Sequence, residues 1–192
     1  MKKLILLIAI CLSSFCSRVI AQDGFGNTLN LGVGVGYPGY VGHAVPAFNL
    51  SYEFGLPHNF TLAPFVGIYS YQNNMYWGDA YTPYRNYSYT ETVVPVGGKL
   101  AYYFNQLFQA GPRWDFYGAL SLGFSFRTVV WENGYYGDRT LTNDASPMYV
   151  NLHAGARYYM TDRAGLFLDL STGTTTFGLS LNFRNRGTVS RY

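Results

Sequence analysis

The chain contains little charge, and most of that charge is balanced. Charged residues make up 12% of its 192 residues, which is about half the share of a typical soluble domain. The excess of 13 Lys and Arg over 10 Asp and Glu comes from Lys2, Lys3 and Arg18, so residues 22–192 carry no net formal charge. The basic isoelectric point of the whole chain therefore does not indicate nucleic-acid binding.

Residues 1–21 have the pattern of a secretory signal. A basic start is followed by the apolar run LILLIAICL and by small residues that end at Ala21. Such a segment is too short to anchor the chain across a bilayer, and we expect cleavage after Ala21. The alternative is a lipid anchor on Cys16, which the bulky Phe15 before it disfavours. The pattern predicts export and a single mature domain over 22–192.

Cysteine and long apolar runs are absent after this signal. Both cysteines, Cys11 and Cys16, fall within it, so disulfides and thiol chemistry are excluded from the predicted mature chain. No later stretch is long and apolar enough for a transmembrane helix. Aromatic residues nevertheless make up 19% of the chain. An exported, aromatic-rich and charge-poor chain of this kind is typical of the outer membrane of a Gram-negative cell.

Motifs of catalysis and cofactor binding are also missing from the sequence. It contains no phosphate loop, no dinucleotide fingerprint and no G-x-S-x-G. The three histidines lack metal-ligand spacing, and the acids Asp79, Glu132, Asp138 and Asp144 match no calcium loop. We therefore expect a protein that is not an enzyme and that has no cofactor, no metal site and no nucleic-acid partner.

The stretch from Trp114 to Trp131 shows the clearest pattern in the chain. Every second residue from Phe116 to Val130 is apolar except for Thr128, and the residues between them are mostly small or polar. A period of two over this length is typical of an extended strand with two unlike faces. We interpret it as a membrane-crossing strand of a β-barrel, with its apolar face outward.

Seven further segments show the same alternation. The eight predicted strands are Thr28–Tyr37, Ala47–Phe54, Phe60–Tyr71, Tyr87–Phe104, Trp114–Trp131, Met148–Met160, Gly165–Ser171 and Thr175–Phe183. An even number of consecutive strands predicts an all-β fold, an eight-stranded antiparallel up-and-down transmembrane β-barrel. Periplasmic turns are predicted at 55–59, 105–113 and 161–164. External loops are predicted at 38–46, 72–86, 132–146 and 172–174.

This register places aromatic side chains near both membrane borders. The predicted periplasmic girdle consists of Phe54, Phe60, Phe104, Phe116, Tyr158 and Phe183. The predicted outer girdle consists of Tyr37, Tyr71, Trp131 and Tyr149. Pro64 and Pro95 fall inside strands, and a closed barrel has no spare edge for a residue that lacks an N–H. We therefore predict a β-bulge at each of these prolines.

The last predicted strand completes a resemblance to a known family. Its segment LSLNF, residues 179–183, is similar to the terminal-strand signal that the barrel-assembly machinery reads, although RNRGTVSRY follows it here. With the signal, the eight alternating segments and the girdles, roughly residues 25–183 resemble the eight-stranded outer-membrane barrels of the OmpA/OmpX type and the related barrel-domain proteins of Bacteroidetes. The resemblance implies outer-membrane residence, contact with its lipid and lipopolysaccharide, and the assembly machinery as a partner.

Charged side chains fall on the inward faces of the predicted strands. They are Glu53, Lys99, Arg127, Arg157 and Asp169, with His153 beside them. Placing Arg or Lys against lipid at the membrane midplane would cost about 2–4 kcal/mol, and inside a narrow barrel such charges must pair. Because eight strands leave an interior that side chains just fill, our main interpretation is a salt-bridge network that plugs the lumen.

Three alternatives to this interpretation remain open. A narrow porin-like channel for ions or small solutes would be lined by the same charges. A lipid A-modifying enzyme would need a His–Ser pair at the outer-leaflet rim, but no serine lies close to His153 in sequence, and His43 lies in a loop. A soluble lipocalin-like barrel would need its apolar faces inward and its charges outward.

The external loops supply a second candidate site. Aromatic residues crowd two of them: Tyr76, Trp77, Tyr81, Tyr84, Tyr87, Tyr135 and Tyr136. Tyr and Trp are rigid and amphipathic and favour recognition surfaces. Alternatively, some of them belong to strands that extend above the membrane, with their rings at headgroup level. The predicted function is therefore structural or surface-binding, including adhesion to an extracellular ligand.

Overall fold

A computed structural model of the chain describes residue 25 and residues 27–36, 45–138 and 147–183. The predicted signal with its cysteines, Tyr37 of the predicted outer girdle and the loop residue Asp144 lie outside these ranges. Among the residues described, no helix is long and apolar enough to cross a bilayer.

The eight alternating segments form one closed sheet. The strands are β1 (Thr28–Gly36), β2 (Val45–Gly55), β3 (Phe60–Trp77), β4 (Arg85–Tyr103), β5 (Trp114–Trp131), β6 (Met148–Tyr159), β7 (Ala164–Ser171) and β8 (Thr174–Asn182). Each strand pairs with its neighbours in chain order, and β1 pairs antiparallel with β8, which closes the barrel. The predicted fold class, an eight-stranded antiparallel up-and-down barrel, is confirmed.

The barrel carries its apolar side chains outside and its polar side chains inside. On β5, Leu120 and Leu122 are exposed, whereas Ser121 between them is buried. The same alternation of burial runs along the other strands and places their faces as predicted. This pattern is the reverse of the lipocalin-like alternative, in which apolar side chains would fill the interior.

Pro64 and Pro95 do not form the predicted bulges. Pro64 lies opposite Gly98 in the β3–β4 ladder, and Pro95 lies opposite Ser125 in the β4–β5 ladder, both without a change of register. On its other side each proline lies where the ladder is briefly interrupted, by the same number of residues on both strands. Because proline has no N–H, hydrogen bonds are lost there. Neither strand has an extra residue, however, and an extra residue is what defines a bulge. The bulge prediction is wrong, although the register on which it rested holds.

Three strands extend beyond the rest of the barrel. β3 pairs with β2 only as far as Tyr69, but with β4 as far as Trp77. β5 pairs with β6 only as far as Phe124, but with β4 as far as Trp131. We call the extension the projecting sheet; it comprises residues 70–77, 85–92 and 125–131.

The outward face of the projecting sheet changes from apolar to polar at its base. Ser70 Oγ lies 3.1 Å from Thr92 Oγ1, and Thr92 is paired with Thr128 on β5, so a row of hydroxyl groups crosses the three strands. Below this row the outward residues of the three strands are mainly apolar. The predicted loop 72–86 is wrong, because only residues 78–84 connect β3 and β4.

The outward position of one predicted aromatic girdle is confirmed, and that of the other is wrong. Near the turns that connect β2–β3, β4–β5 and β6–β7, outward rings contact each other in pairs such as Phe60–Tyr102, Tyr102–Phe104, Trp114–Phe116 and Trp114–Tyr158. At the opposite end, Tyr71 is buried, the ring of Tyr149 lies 5.6 Å from inward-facing Phe65, and Trp131 stacks on Tyr135. Tyr71, Trp131 and Tyr149 occupy the inward positions of their strands, so they cannot form an outer girdle.

Candidate functional site

Arg157 organises the part of the lumen nearest the three turns that connect β2–β3, β4–β5 and β6–β7. Its Nη2 donates to Glu53 Oε1 at 2.7 Å, and its Nη1 donates to the hydroxyl of Tyr103 at 3.1 Å. The Tyr103 hydroxyl in turn donates to Glu53 Oε2 at 2.6 Å. The side chains of Arg157 and Glu53 are each only 1% exposed. This ion pair is therefore fully enclosed within the barrel.

Groups from two further strands and Tyr159 of β6 complete this arrangement, which we call the Arg157 cluster: Asn30, Glu53, Tyr103, Asp115, Arg157 and Tyr159. Arg157 Nη2 also donates to Asn30 Oδ1 at 3.2 Å, and its Nη1 lies 4.0 Å from Asp115 Oδ2. The ring of Phe25, from the segment before β1, stacks on Tyr103 at 4.1 Å. The cluster joins β1, β2, β4, β5 and β6 across the lumen, so it braces the barrel from the inside.

A second network, the Asp169 cluster, lies next to the first. Lys99 Nζ and the Tyr117 hydroxyl donate to Asp169 Oδ2 at 2.9 and 2.8 Å. His153 Nδ1 lies 2.6 Å from Asp169 Oδ1, and His153 Nε2 lies 2.9 Å from Ser121 Oγ. The ring of Tyr117 reaches Asp169 across Gly155, where an added Cβ would lie 2.1 Å from the Tyr117 ring. A larger residue at this position of β6 would therefore displace the Tyr117 ring.

The order Ser121–His153–Asp169 resembles the hydrogen-bond chain of a hydrolytic triad. A search for serine close to His153 in sequence misses it, because Ser121 comes from the neighbouring strand, 32 residues away. Ser121 is only 1% exposed, and the cavity beside it has a volume of about 20 Å³. That volume holds a single water molecule.

A third ion pair lies towards the projecting sheet. Arg127 Nη1 donates to Glu91 Oε1 at 2.9 Å, and both side chains are largely buried. Glu91 was missed as a lumen charge, although it lies an even number of residues from Lys99 on β4 and therefore shares its face. The structure thus divides the predicted lumen charges among two clusters and one pair.

The aromatic residues predicted to form a recognition loop separate into two groups. Trp77, Tyr87, Tyr89, Trp131 and Tyr135 form an aromatic cap on the inner face of the projecting sheet. Tyr135 is stacked on Trp131 at 4.1 Å and contacts Trp77 and Tyr87 at 5.3 and 5.4 Å. Its hydroxyl donates to Asp138 O at 3.0 Å and lies 3.3 Å from Met75 Sδ. These residues form a small core, so Trp77, Tyr87 and Tyr135 are not free recognition groups.

The other group consists of exposed tyrosines, namely Tyr76, Tyr81, Tyr84 and Tyr136. Tyr81 is 97% exposed, and the ring of Tyr76 lies 5.8 Å from that of Tyr84. The connecting loop is ordered by Asp79, whose Oδ1 accepts the N–H groups of Tyr81 and Thr82 at 2.8 and 2.6 Å. These hydrogen bonds, that from Tyr81 above all, lower the pKa of Asp79 below its ordinary value.

Other sequence-level candidates are not brought together. Glu132 forms an exposed ion pair with Arg85 at 3.5 Å, while Asp79 and Asp138 belong to separate loop segments. In the part of the chain that the structure describes, no group of three or more His, Cys, Asp or Glu could hold a metal ion.

Comparison with known proteins gives similarity in architecture alone. No protein-family profile matches the chain, and no curated protein matches it in sequence. Solved structures similar to it include a de novo designed transmembrane β-barrel, at 13% identity and a TM-score of 0.46, covering 82% of this chain and 96% of the other. The attachment invasion locus protein Ail of Yersinia pestis, in complex with the heparin analogue sucrose octasulfate, is 10% identical with a TM-score of 0.45, covering 80% of this chain and 94% of Ail. The outer membrane protein Ail in a phospholipid bilayer nanodisc is 12% identical with a TM-score of 0.44, covering 83% and 100% of the two chains.

Proposed function

We propose that this chain is an integral outer-membrane barrel with a closed lumen, which holds a tyrosine-bearing recognition surface outside the cell. The observation that carries the proposal is the exposed apolar belt around the barrel, with members such as Leu62, Leu120, Leu168 and Leu179 on separate strands. Soluble monomers rarely expose a continuous apolar surface of more than a few hundred Å². A lipid bilayer is the environment in which such a belt is stable.

The height of the belt supports this assignment. On β5 the apolar outward residues run from Phe116 to Phe126, and on β4 they run from Val94 towards Phe104. Each run is about as long as the 9–11 residues that a tilted strand needs to cross a bilayer. The hydroxyl row at Ser70 begins where this belt ends, as expected at a membrane border.

We further infer that the lumen neither conducts ions nor catalyses a reaction. The Arg157 and Asp169 clusters occupy the lumen one after the other, and an eight-stranded barrel has little further space. Ser121 cannot meet a lipid substrate, since it faces a cavity that holds one water. A fluorophosphonate probe is therefore expected to leave Ser121 of the folded protein unlabelled; labelling of Ser121, detected by mass spectrometry, would support the enzyme alternative.

Recognition is assigned to the exposed tyrosines. Tyr81 and Tyr84 lie on a loop that Asp79 orders, and Tyr76 extends this surface onto β3. Ordered aromatic side chains lose little conformational entropy on binding. The aromatic cap below holds the strands that present them.

Epitope insertion tests the membrane location and the orientation. In a Gram-negative host, an epitope placed after Thr82 should bind antibody on intact cells. The same epitope placed after Asp162, in the β6–β7 turn, should bind only after permeabilisation. Equal access to both sites in intact cells, or recovery of the protein in the soluble periplasm, would contradict the proposal.

Binding by cells that display the protein tests the recognition role. Cells carrying the wild type are expected to bind one or more spots on an array of glycans and extracellular-matrix proteins. Tyr81→Ser/Tyr84→Ser should remove that binding, whereas Tyr135→Phe, which keeps the buried ring, should retain it. Absence of binding by the wild type, or equal binding by the double variant, would leave the barrel with a purely structural role.

A further inference from the structure

The connection between β4 and β5 exposes large apolar side chains at one end of the barrel. Leu107 is 75% exposed and Phe108 is 61% exposed. The β6–β7 turn at the same end provides a contrast, because Thr161, Asp162 and Arg163 are exposed and polar, and Met160, 49% exposed, is its one large apolar side chain. Two adjacent large apolar side chains, each more than half exposed, therefore distinguish the β4–β5 connection from this turn.

Hydrogen bonds give this connection a defined conformation. Asn105 Nδ2 donates to Trp114 O at 3.0 Å, and Asn105 Oδ1 accepts the Phe116 N–H at 2.8 Å. The backbone N–H groups of Phe108 and Ala110 donate to the carbonyls of Phe104 and Asn105 at 3.1 and 2.9 Å. Asn105 itself is buried. The exposure of Leu107 and Phe108 thus belongs to an ordered turn.

The turn lies against the outer wall of the barrel. The ring of Phe108 lies 6.1 Å from that of Phe104 and 5.9 Å from that of Phe116. Both of these rings belong to the outward-facing aromatic girdle, and Trp114 continues it by stacking on Phe116 at 5.6 Å. Phe108 and Leu107 therefore extend the lipid-facing surface beyond the ends of the strands.

We propose that the 105–113 turn is a membrane-interface anchor, with Leu107 and Phe108 inserted at the boundary between phospholipid headgroups and acyl chains in the periplasmic leaflet. This inference rests on the proposed function, since it requires the barrel to span a bilayer. Because the turn is continuous with the aromatic girdle, we identify the lipid interface as the partner of Leu107 and Phe108. Amphipathic and aromatic groups concentrate at that boundary. The anchor also explains the length of this turn, which the barrel does not need for closure.

Site-specific fluorescence in vesicles tests the anchor. In a full-length background with Cys11→Ser and Cys16→Ser, single cysteines replace Leu107, Asp162 or Leu168 and carry an environment-sensitive dye. The three proteins are refolded into phosphatidylcholine vesicles that contain a nitroxide either near the headgroup or at the chain centre, and folding is checked by the heat-dependent gel shift. Gln106→Cys serves as a second position in the turn if Leu107→Cys does not refold.

The three labelled positions separate failure of the anchor from failure of the membrane assignment. The dye at 107 should emit at shorter wavelength than the dye at 162 and should lose most of its emission to the shallow nitroxide. The dye at 168, on the belt, should be quenched by the central nitroxide. If the dye at 107 has the same emission wavelength and quenching as the dye at 162, while the dye at 168 is quenched by the central nitroxide, the anchor is overturned. If the dye at 168 also emits as in water and is not quenched, the membrane assignment itself fails.

Discussion

At the scale of single residues, buried charge is the most consequential feature of this protein. Arg157 and Glu53 are enclosed, yet each has several hydrogen-bond partners as well as the other's charge. Removing two ions from water is costly, and the cost is offset only if the pair is close and its remaining polar groups are satisfied. In the Arg157 cluster the pair is close and both Nη atoms of Arg157 are hydrogen-bonded, whereas its buried Nε has no hydrogen-bond partner among the residues described. The loss of one member would leave the other charges buried without compensation.

Arg157→Met should therefore lower the free energy of unfolding by about 3–5 kcal/mol, the range found when one partner of a buried ion pair is removed. Arg85→Met is the matched control, because the Arg85–Glu132 pair is exposed and such pairs contribute about 0.2–1 kcal/mol. Urea titration of the two variants in micelles, followed by tryptophan fluorescence, measures both effects. Equal midpoints for the two variants would show that the Arg157 cluster does not brace the barrel.

The direction of a side chain was predictable from the sequence, but its partners were not. A period of two assigns Ser121, His153 and Asp169 to the lumen whatever the neighbouring strands do. Their contacts depend on how three strands are staggered, and the turns determine that stagger. The hydrogen bond from Ser121 to His153 therefore has no signal in the local sequence. The same parity argument, applied to Tyr71, Trp131 and Tyr149, would have excluded the outer girdle.

At the scale of the elements, the projecting sheet shows where strand prediction loses its signal. Alternation is readable only while one face meets lipid and the other meets the lumen. Above the hydroxyl row at Ser70 and Thr92 the outward positions become mostly polar, and some inward positions are also polar. Val130 is an apolar exception among the outward residues. The pattern then resembles a loop, although hydrogen bonding continues as far as Trp77 and Arg85. Above the apolar belt, the packing of aromatic side chains on the inner face stabilises the projecting sheet.

The aromatic cap predicts a local effect of mutation. Tyr135→Ala removes a buried ring, 1% exposed, that contacts Trp77, Tyr87 and Trp131. We expect faster amide hydrogen exchange over 70–77 and 85–92, with unchanged protection of the barrel strands. Tyr136→Ala, at an 80% exposed neighbour, is the control and should alter neither region. Loss of the heat-dependent gel shift in Tyr135→Ala would show instead that the cap is required for the barrel to form.

The Asp79 turn predicts a dependence on pH. Since hydrogen bonds from the Tyr81 and Thr82 N–H groups lower the pKa of Asp79, the carboxylate favours the ordered loop at every pH above the ordinary Asp value of about 3.9. This contribution is lost as pH falls through the lowered pKa. The amide NMR shifts of Tyr81 and Thr82 should therefore stay constant down to mildly acidic pH and move only below it. Asp79→Asn keeps an acceptor without a titrating group, so an acid transition that persists in this variant would exclude Asp79 as its cause.

At the scale of the whole molecule, this barrel is arranged inside out compared with a soluble domain. Its interior holds hydrogen-bonded ion pairs, and its exterior holds leucine, valine and phenylalanine. In water the apolar belt would stay exposed, whereas a bilayer would cover it and leave the paired ions in the lumen. The composition alone indicated this class, since low charge and abundant aromatic residues are not typical of a water-soluble protein, and no long apolar segment indicates a membrane-spanning helix.

Ion conductance decides between a plugged lumen and a pathway. Lys99 of the Asp169 cluster and Tyr103 and Arg157 of the Arg157 cluster are all buried in the lumen, and the interior of an eight-stranded barrel leaves little further space for water. The refolded wild type should therefore give no steady current in a planar bilayer. Lys99→Ala/Tyr103→Ala/Arg157→Ala removes side-chain volume from both clusters and, if it refolds, should give small steady currents that show the assay can detect an open barrel. A steady wild-type current that Lys99→Ala alone alters would instead mean that the inward charges line a route for ions. A lumen closed by side chains carries no current that such a substitution could change.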